Sequence, residues 1–589
     1  MRRFLTFNAL LTTSLLLAVI LLSPALSLGL VSSDFFHKAL FTGNSPISLP
    51  NDNSIFGMFT FSSGSPEKMH DVVDLGALPW WADLNVKLTF FRPLAALTHW
   101  VDYQLWPNYP SLMHLHNLLW YLADILLVGF FLRRIFSDKS ALIAGLAILM
   151  FATNGAHSVA VTWIADRNAL MSTFFGVLML FFHDKWRTQS SRMALPFSLA
   201  SFVLALLSAE YGLSCIPFLI GYALFFDHGK LKEKILSVLP ALTITLAYLL
   251  FYFKSGYGAK HSELYLSPGD NLGEFIKAVL TRVPEMLGAD FSALTLWLLP
   301  PPGGQKALLY FAYILAFLPV IPVLMASRQA RFLLTGAIGA LVPVSSVAPS
   351  DRVLMFSAIG VLPIAAESLV YWWNVLQSKP VQRNLKVIAY ASLTLLILTH
   401  LILSPLQFIP LYYVPKRVHD EVILKPLETI QAAPNLAGKK LILVNPPMLL
   451  ASMYFMPIMI TNGKALPQNM LSIASGMNPI SIERINENTL RITPEKGFMP
   501  NPEDWLPHSH KTGFKVGDVF HVGEATITIE SLNESNGPKT ALFQFDRPLE
   551  DPTLMWMVCK TPQADSKAGT YSSWTLPQVG QKVVVKTFE

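Results

Sequence analysis

The chain has 589 residues, of which 52% are hydrophobic and 14% charged, and its mean hydropathy is +0.44. A soluble protein carries about 25% charged residues, so the composition excludes an ordinary soluble enzyme and indicates a polytopic membrane protein. The net charge of +6 is spread through short loops, where it orients helices and meets lipid headgroups, and it does not indicate a nucleic-acid partner. Cys215 and Cys559 lie far apart and suggest neither a disulfide framework nor a metal cluster.

A membrane-spanning helix needs about 20 mostly apolar residues. Runs of that kind fall near 4–31, 113–134, 140–156, 168–184, 193–209, 211–227, 235–253, 305–325, 331–348, 353–374 and 386–405. The first is longer than the apolar part of a signal peptide, and reads as an uncleaved anchor. The segments between runs alternate in character. Arg2 and Arg3, then Arg133, Arg134 and Lys139, then Lys185, Arg187 and Arg192, then Lys230, Lys232 and Lys234, then Arg328 and Arg331, and finally Lys379, Arg383 and Lys386 all fall on one side. The positive-inside rule makes that side cytoplasmic. An odd number of spans then carries the C-terminal segment to the outside, as in a multi-pass plasma (inner) membrane protein with a cytoplasmic N-terminus.

The expected fold is a polytopic α-helical membrane protein with about 11 transmembrane helices and a C-terminal soluble, β-rich α+β domain. Residues 1–405 form the membrane domain, with external loops 32–112 and 254–304, and 406–589 form the extracytoplasmic domain. In the first loop, Leu78-Pro79-Trp80-Trp81 and Phe90-Phe91-Arg92-Pro93-Leu94 suit short helices lying at the membrane interface, where Trp rings prefer to sit. The stretch 272–300 carries Lys277, Arg282, Glu285 and Asp290 on a helical apolar pattern and reads as an interfacial amphipathic helix, with a twelfth, re-entrant element as the alternative. Beyond residue 406, Lys440 to Val444 reads as a strand. Ser481–Thr493 and Ala525–Glu530 alternate apolar and polar residues as half-buried strands do, and helix is expected over Met448–Ile460.

Titratable residues gather on the external face. Asp34 follows the first span; a carboxylate held half-desolvated there would be a better base, although an acid that merely ends a helix reads the same way. Arg92 offers a planar fork for phosphate oxygens, and His114 and His116 offer donors or a proton route. Those two histidines, at i and i+2, point to different faces and make a poor joint metal site. Interfacial anchoring by Arg92 with satisfied histidines is the plain alternative. His157, Trp163, Asp166, Arg167 and Asn168 crowd one short connection, which also reads as a helix start with an acidic cap. Glu210 and Arg352 enter from two further turns on the same side.

In order and spacing, Asp34, Phe91-Arg92-Pro93-Leu94, His114-Leu115-His116-Asn117 and His157 through Asp166-Arg167-Asn168-Ala169-Leu170 resemble the GT-C superfamily of membrane glycosyltransferases. The likeness is to protein O-mannosyltransferase-like members and covers roughly residues 1–185, with a weaker echo at 349–360. The resemblance implies a polyprenyl-phosphate sugar as co-substrate, membrane lipid as surroundings, and a glycan, lipid or protein acceptor at the extracytoplasmic face. It implies Asp34 as catalytic base, with Arg92, Arg167 or Arg352 on the donor phosphate and His114, His116, His157 and Glu210 around the substrate. Ser33 stands where relatives often carry a second acid, and a divalent metal is left as an open cofactor. A second class of function stays open: a non-catalytic membrane scaffold, or a transporter or flippase for a lipid-linked glycan. Transport would place ionisable groups mid-span, where only Asp124 and His400 stand out.

Overall fold

A computed structural model describes residues 6–42, 54–296, 305–378, 380–431, 436–476, 478–560 and 569–586. Arg2, Arg3, Lys379 and the end of the 272–300 stretch lie outside the described residues. The chain divides into two compact units. One comprises Met1–Gly29, Phe90–Tyr257 and Pro268–Tyr413; the other comprises Leu30–Thr89, Gly258–Ser267 and Val414–Glu589.

The first unit is helical, and among the described residues each of the eleven apolar runs overlaps a helix. Among the described residues, seven helices are long and apolar enough to cross a bilayer: Phe7–Ser27, Pro110–Ile135, Ile164–Gln189, Leu231–Lys254, Lys306–Ala326, Met355–Gln377 and Arg383–Ile430. The other four runs are shorter. They lie on Ala141–Ala152, Ala194–Ser208, Glu210–Phe226 and Arg328–Val344, which has 17 residues. At about 1.5 Å per residue, 12 residues cover little more than half of a hydrocarbon core of about 30 Å.

The helix starts follow local chemistry. Thr6 accepts from the Ala9 amide, Ser140 from Leu142, Asn271 from Glu274 and Ser327 from Ala330, each satisfying a donor the helix leaves open. Along Leu231–Lys254 the residues Leu231, Ile235, Leu239, Leu242, Leu246 and Leu250 are exposed. Their spacing of three and four makes one continuous apolar stripe. In water that stripe would drive aggregation, whereas in lipid it matches the solvent. Met355–Gln377 is the opposite case, with 89% of its most apolar window buried inside the protein. Its Gly360 faces the Leu333 carbonyl and the Ala337 methyl too closely to admit a Cβ, the use of small residues expected where helices pack in membranes. The chain is a multi-pass α-helical membrane protein.

Four basic residues at the loops of this unit are paired with acids. Arg134 meets Asp184 at 2.6 Å, Arg187 meets Asp227 at 2.7 Å, Arg328 meets Asp138 at 3.1 Å and Lys139 meets Glu367.

The second unit is built on sheets. A six-stranded antiparallel sheet runs in the order Lys582–Val585, Ile480–Arg484, Thr489–Pro494, Pro538–Phe545, Ala525–Leu532, Val519–Val522. Ile480 and Ile482 are buried while Ser481 and Glu483 are half-buried, as the alternation in sequence requires. A four-stranded sheet orders Thr570–Ser573, Leu554–Lys560, Lys440–Leu443 and Asn469–Ser472. The last two pair in parallel, which demands a crossover, and the helix Leu449–Thr461 supplies it. A small antiparallel sheet joins Thr60–Ser63, Lys87–Thr89 and Gly258–Lys260.

The C-terminal residues are therefore not alone in this unit. Trp80 and Trp81, expected at a membrane interface, fill its core. The Trp80 indole donates to the Ile473 carbonyl at 3.0 Å and packs on Phe498, Phe520 and Phe543. The Trp81 indole donates to the Asp504 carbonyl at 3.1 Å. Both needs of an indole, apolar contact and one acceptor, are met by protein rather than by headgroups.

Candidate functional site

Arg92 occupies the cap position of the helix Pro93–Leu105, with Pro93 at its first turn, where a missing N–H costs nothing. Its Nε donates to Glu210 Oε2 at 2.8 Å. The other Glu210 oxygen accepts from the Phe91 amide at 3.2 Å and the Tyr252 hydroxyl at 3.1 Å. The Arg92 and Glu210 side chains are 21% and 23% exposed, so this pair is only partly buried. The Arg92 guanidinium also stacks over the Phe90 ring, 4.8 Å from its centroid.

Arg352 reaches the same neighbourhood from the turn Asp351–Val353, 260 positions along the chain. Its guanidinium lies 5.5 Å from the Trp163 ring centroid, and one of its nitrogens is 3.8 Å from Asp166 Oδ1. Asp166 feels the charges of both Arg352 and Arg92, and its second oxygen is buried without a hydrogen-bond partner among the described residues. What locks the two turns together is Tyr211, the neighbour of Glu210. Its hydroxyl donates to the Val353 carbonyl at 3.0 Å and accepts from the Phe356 amide at 2.6 Å. Two guanidinium groups thus share a partly exposed cluster with two carboxylates. Planar cations held this way are suited to a phosphate group.

Arg167 is elsewhere. Fully buried, it pairs with Asp102 and donates to Asn117 Oδ1 at 2.7 Å, to the Met113 carbonyl at 3.3 Å and to Thr98 Oγ1 at 3.5 Å. His116 belongs to this inner network. Its Nε2 accepts from the Trp120 indole at 3.2 Å, so its proton sits on Nδ1 and is donated to Asp102 Oδ1 at 2.8 Å. Asn117 completes the weld by donating to the Val161 and Trp163 carbonyls. His114 is buried against the Gly29 carbonyl at 2.8 Å, and His157 lies between the Phe151 carbonyl and the Tyr121 hydroxyl, both at 3.1 Å. Of the seven residues expected around the donor, the structure gathers Arg92, Glu210 and Arg352. Arg167 and His116 form a separate internal brace, and His114 and His157 are each held by backbone carbonyls.

The cluster also recruits groups that sequence reasoning did not assign to it. Asp166 and Trp163 were visible as a crowded turn and Tyr211 as the neighbour of Glu210 in a short turn, whereas Tyr252 carried no signal beyond lying near a helix end. Asp34 belongs to the second unit. It is wholly buried at the start of the helix Asp34–Thr42, and its Oδ2 accepts from the Val31 amide at 3.0 Å. Asp124 is fully buried, and neither of its oxygens has a hydrogen-bond partner among the described residues.

No family model matches the chain. Among curated proteins, the chain is 26% identical over 196 residues to a protein O-mannosyl-transferase of Caenorhabditis elegans, a stretch covering 33% of this chain. The match spans only 26% of that relative's length. Among solved structures, ArnT from Cupriavidus metallidurans bound to undecaprenyl phosphate aligns with a TM-score of 0.36 and 15% identity, over 77% of this chain and 85% of that one. The curated relative agrees with the resemblance of the motifs to GT-C membrane glycosyltransferases.

Proposed function

We propose that this protein is a membrane glycosyltransferase that moves a sugar from a polyprenyl-phosphate donor to a hydroxyl of a glycan, lipid or protein acceptor. Transfer takes place at the extracytoplasmic face of the plasma (inner) membrane, with inversion at the anomeric carbon. The observation that carries this reading is that Arg92, paired with Glu210, and Arg352, 3.8 Å from Asp166, come from segments far apart in sequence whose turns are joined by the Tyr211 hydroxyl on the Val353 carbonyl. The resemblance to O-mannosyltransferases and the curated relative of that name point the same way.

In the reaction, the acceptor oxygen bonds to the anomeric carbon as the bond from that carbon to the phosphate oxygen breaks. The bonding pair leaves with the phosphate, and the acceptor proton passes to the Asp34 carboxylate. Negative charge on the phosphate grows as its bond breaks, so fixed guanidinium groups stabilise the transition state more than the bound donor. A single displacement inverts the centre and needs no second nucleophile.

The test follows transfer from a radiolabelled polyprenyl-phosphate sugar in membranes holding the wild type or Asp34→Asn. The substitution keeps the size and removes the basicity, and is expected to cut turnover at least about 100-fold while donor binding stays within about twofold. Near-normal transfer by Asp34→Asn, with loss in Asp71→Asn or Asp74→Asn, would assign the base to another carboxylate. A wild type that transfers from no lipid-linked donor would sink the reading.

A further inference from the structure

The proposed base lies in an unusual turn. Ser32, two residues before Asp34, has a φ of 49°, a left-handed conformation that residues with a Cβ seldom adopt and that is strained. Such strain persists only where neighbours hold it, and the neighbour here comes from more than 400 positions away. Tyr454, on the helix Leu449–Thr461, is hydrogen-bonded through its hydroxyl to the Ser32 side chain and lies close enough to Asp34 to feel its charge. Its ring meets Phe36 edge to face, with centroids 5.6 Å apart at 66°. Desolvation pushes the Tyr454 phenol up to about 12, so it keeps its proton throughout the neutral range. It contributes a fixed dipole and a hydrogen bond, and never a charge.

We propose that Tyr454 is a positioning residue for Asp34: by holding Ser32 in its left-handed turn, it fixes where the carboxylate points. The inference rests on the function proposed above and extends it. It gives the C-terminal part of the chain a role in the reaction, as the source of the side chain that holds the turn presenting the base. The grip has three points, namely the hydroxyl on Ser32, the ring on Phe36, and the Val31 amide on Asp34 Oδ2. Removing only the hydroxyl leaves the second and third in place.

Tyr454→Phe does this. Transfer from a radiolabelled polyprenyl-phosphate sugar is measured for the wild type, Tyr454→Phe, Asp34→Asn and the double variant, with thermal unfolding in detergent as the folding control. The expected result is a fall in kcat of about 10-fold with the donor KM within about twofold, because misdirecting a reacting group slows chemistry without weakening binding. The double variant is expected to be no slower than Asp34→Asn alone, since a residue acting through the base has nothing to act on once the base is gone. Ser32→Ala removes the partner of the same hydrogen bond and is expected to reproduce the loss without adding to it; it carries the test alone if Tyr454→Phe does not fold. Full wild-type kcat in Tyr454→Phe or Ser32→Ala, or losses that multiply with Asp34→Asn, overturns the role of Tyr454 and leaves the proposed function standing. A wild type without transfer overturns both, and is told apart by that first measurement.

Discussion

Arg92 is already engaged: its Nε lies 2.8 Å from Glu210 Oε2, and Glu210 is held in turn by the Phe91 amide and the Tyr252 hydroxyl. A donor phosphate approaching Arg92 therefore meets a carboxylate in its way. Arg352 has its nearest Asp166 oxygen at 3.8 Å.

Glu210→Gln keeps an acceptor for Phe91 and Tyr252 but removes the competing charge. Binding of a polyprenyl phosphate to the purified protein is expected to tighten about fivefold, the scale of a partly exposed ion pair, with a stronger salt dependence than in the wild type, because the site is then more positive. Unchanged or weaker binding would mean that the phosphate does not approach Arg92.

Arg352 and Arg167 separate binding from architecture. Arg352→Gln is expected to raise the donor KM by about 10-fold or more and to leave the thermal midpoint near that of the wild type, because its guanidinium is partly exposed. Arg167→Gln strands Asp102 in a site where both side chains are fully buried. Breaking a buried pair by removing one partner costs about 3–5 kcal/mol, so the expected outcome is a marked fall in thermal stability and in the amount of folded protein recovered. A stable Arg167→Gln with selectively lost donor binding would return Arg167 to the phosphate site.

How much of this was legible in the sequence depends on whether the signal is local. The apolar helices were, because a run of apolar residues is a local signal; that four of the eleven runs lie on helices shorter than the length rule asks was not. The strands around Ile480 and Ile527 were, because alternation is a property of a few neighbouring residues. The role of Arg167 was not, since its partner Asp102 lies 65 positions earlier on another helix, and an arginine near a helix start looks the same whether it binds a phosphate or braces a core. Trp80 and Trp81 misled for a related reason. A bilayer interface and a protein interior offer an indole the same two things, and only the distant residues 473, 498 and 504 decide between them. Tyr454 beside Ser32 is the extreme case, a contact with no local trace.

Asp504 provides a pH test of the second unit. Burial pushes its carboxyl up to about 6, although it accepts from the Asn501 amide at 2.9 Å. A carboxyl raised in the folded state binds its proton more tightly there than when unfolded. Its favourable contribution is fully present below about 3.8 and is lost as pH rises through about 6. Asp504→Asn keeps an acceptor and cannot titrate. Relative to this variant, the wild type is expected to lose on the order of 3 kcal/mol between pH 4 and pH 7, read as diverging denaturation midpoints in paired series. Parallel pH profiles for the two proteins would show that Asp504 is ionised over the whole range.

Orientation is the last expectation, and it rests on the loops. The basic residues that set it are in several cases paired with acids, as Arg134 is with Asp184, Lys139 with Glu367 and Arg328 with Asp138. That pairing does not weaken the argument. The positive-inside bias counts Lys and Arg, with Asp and Glu contributing little, and it acts as the helices insert, before those ion pairs can form. Cys215 and Cys559 are both buried, so each can be replaced by Ala or Ser to give a background for single cysteines. Lys232 and Lys515 are exposed and lie on opposite sides in the proposed topology. In intact cells an impermeant maleimide is expected to label Lys515→Cys fully and Lys232→Cys only after permeabilisation. The reverse pattern would invert the protein and remove the proposed transfer from the extracytoplasmic face. Labelling of both in intact cells would mean that the number of crossings between them is even.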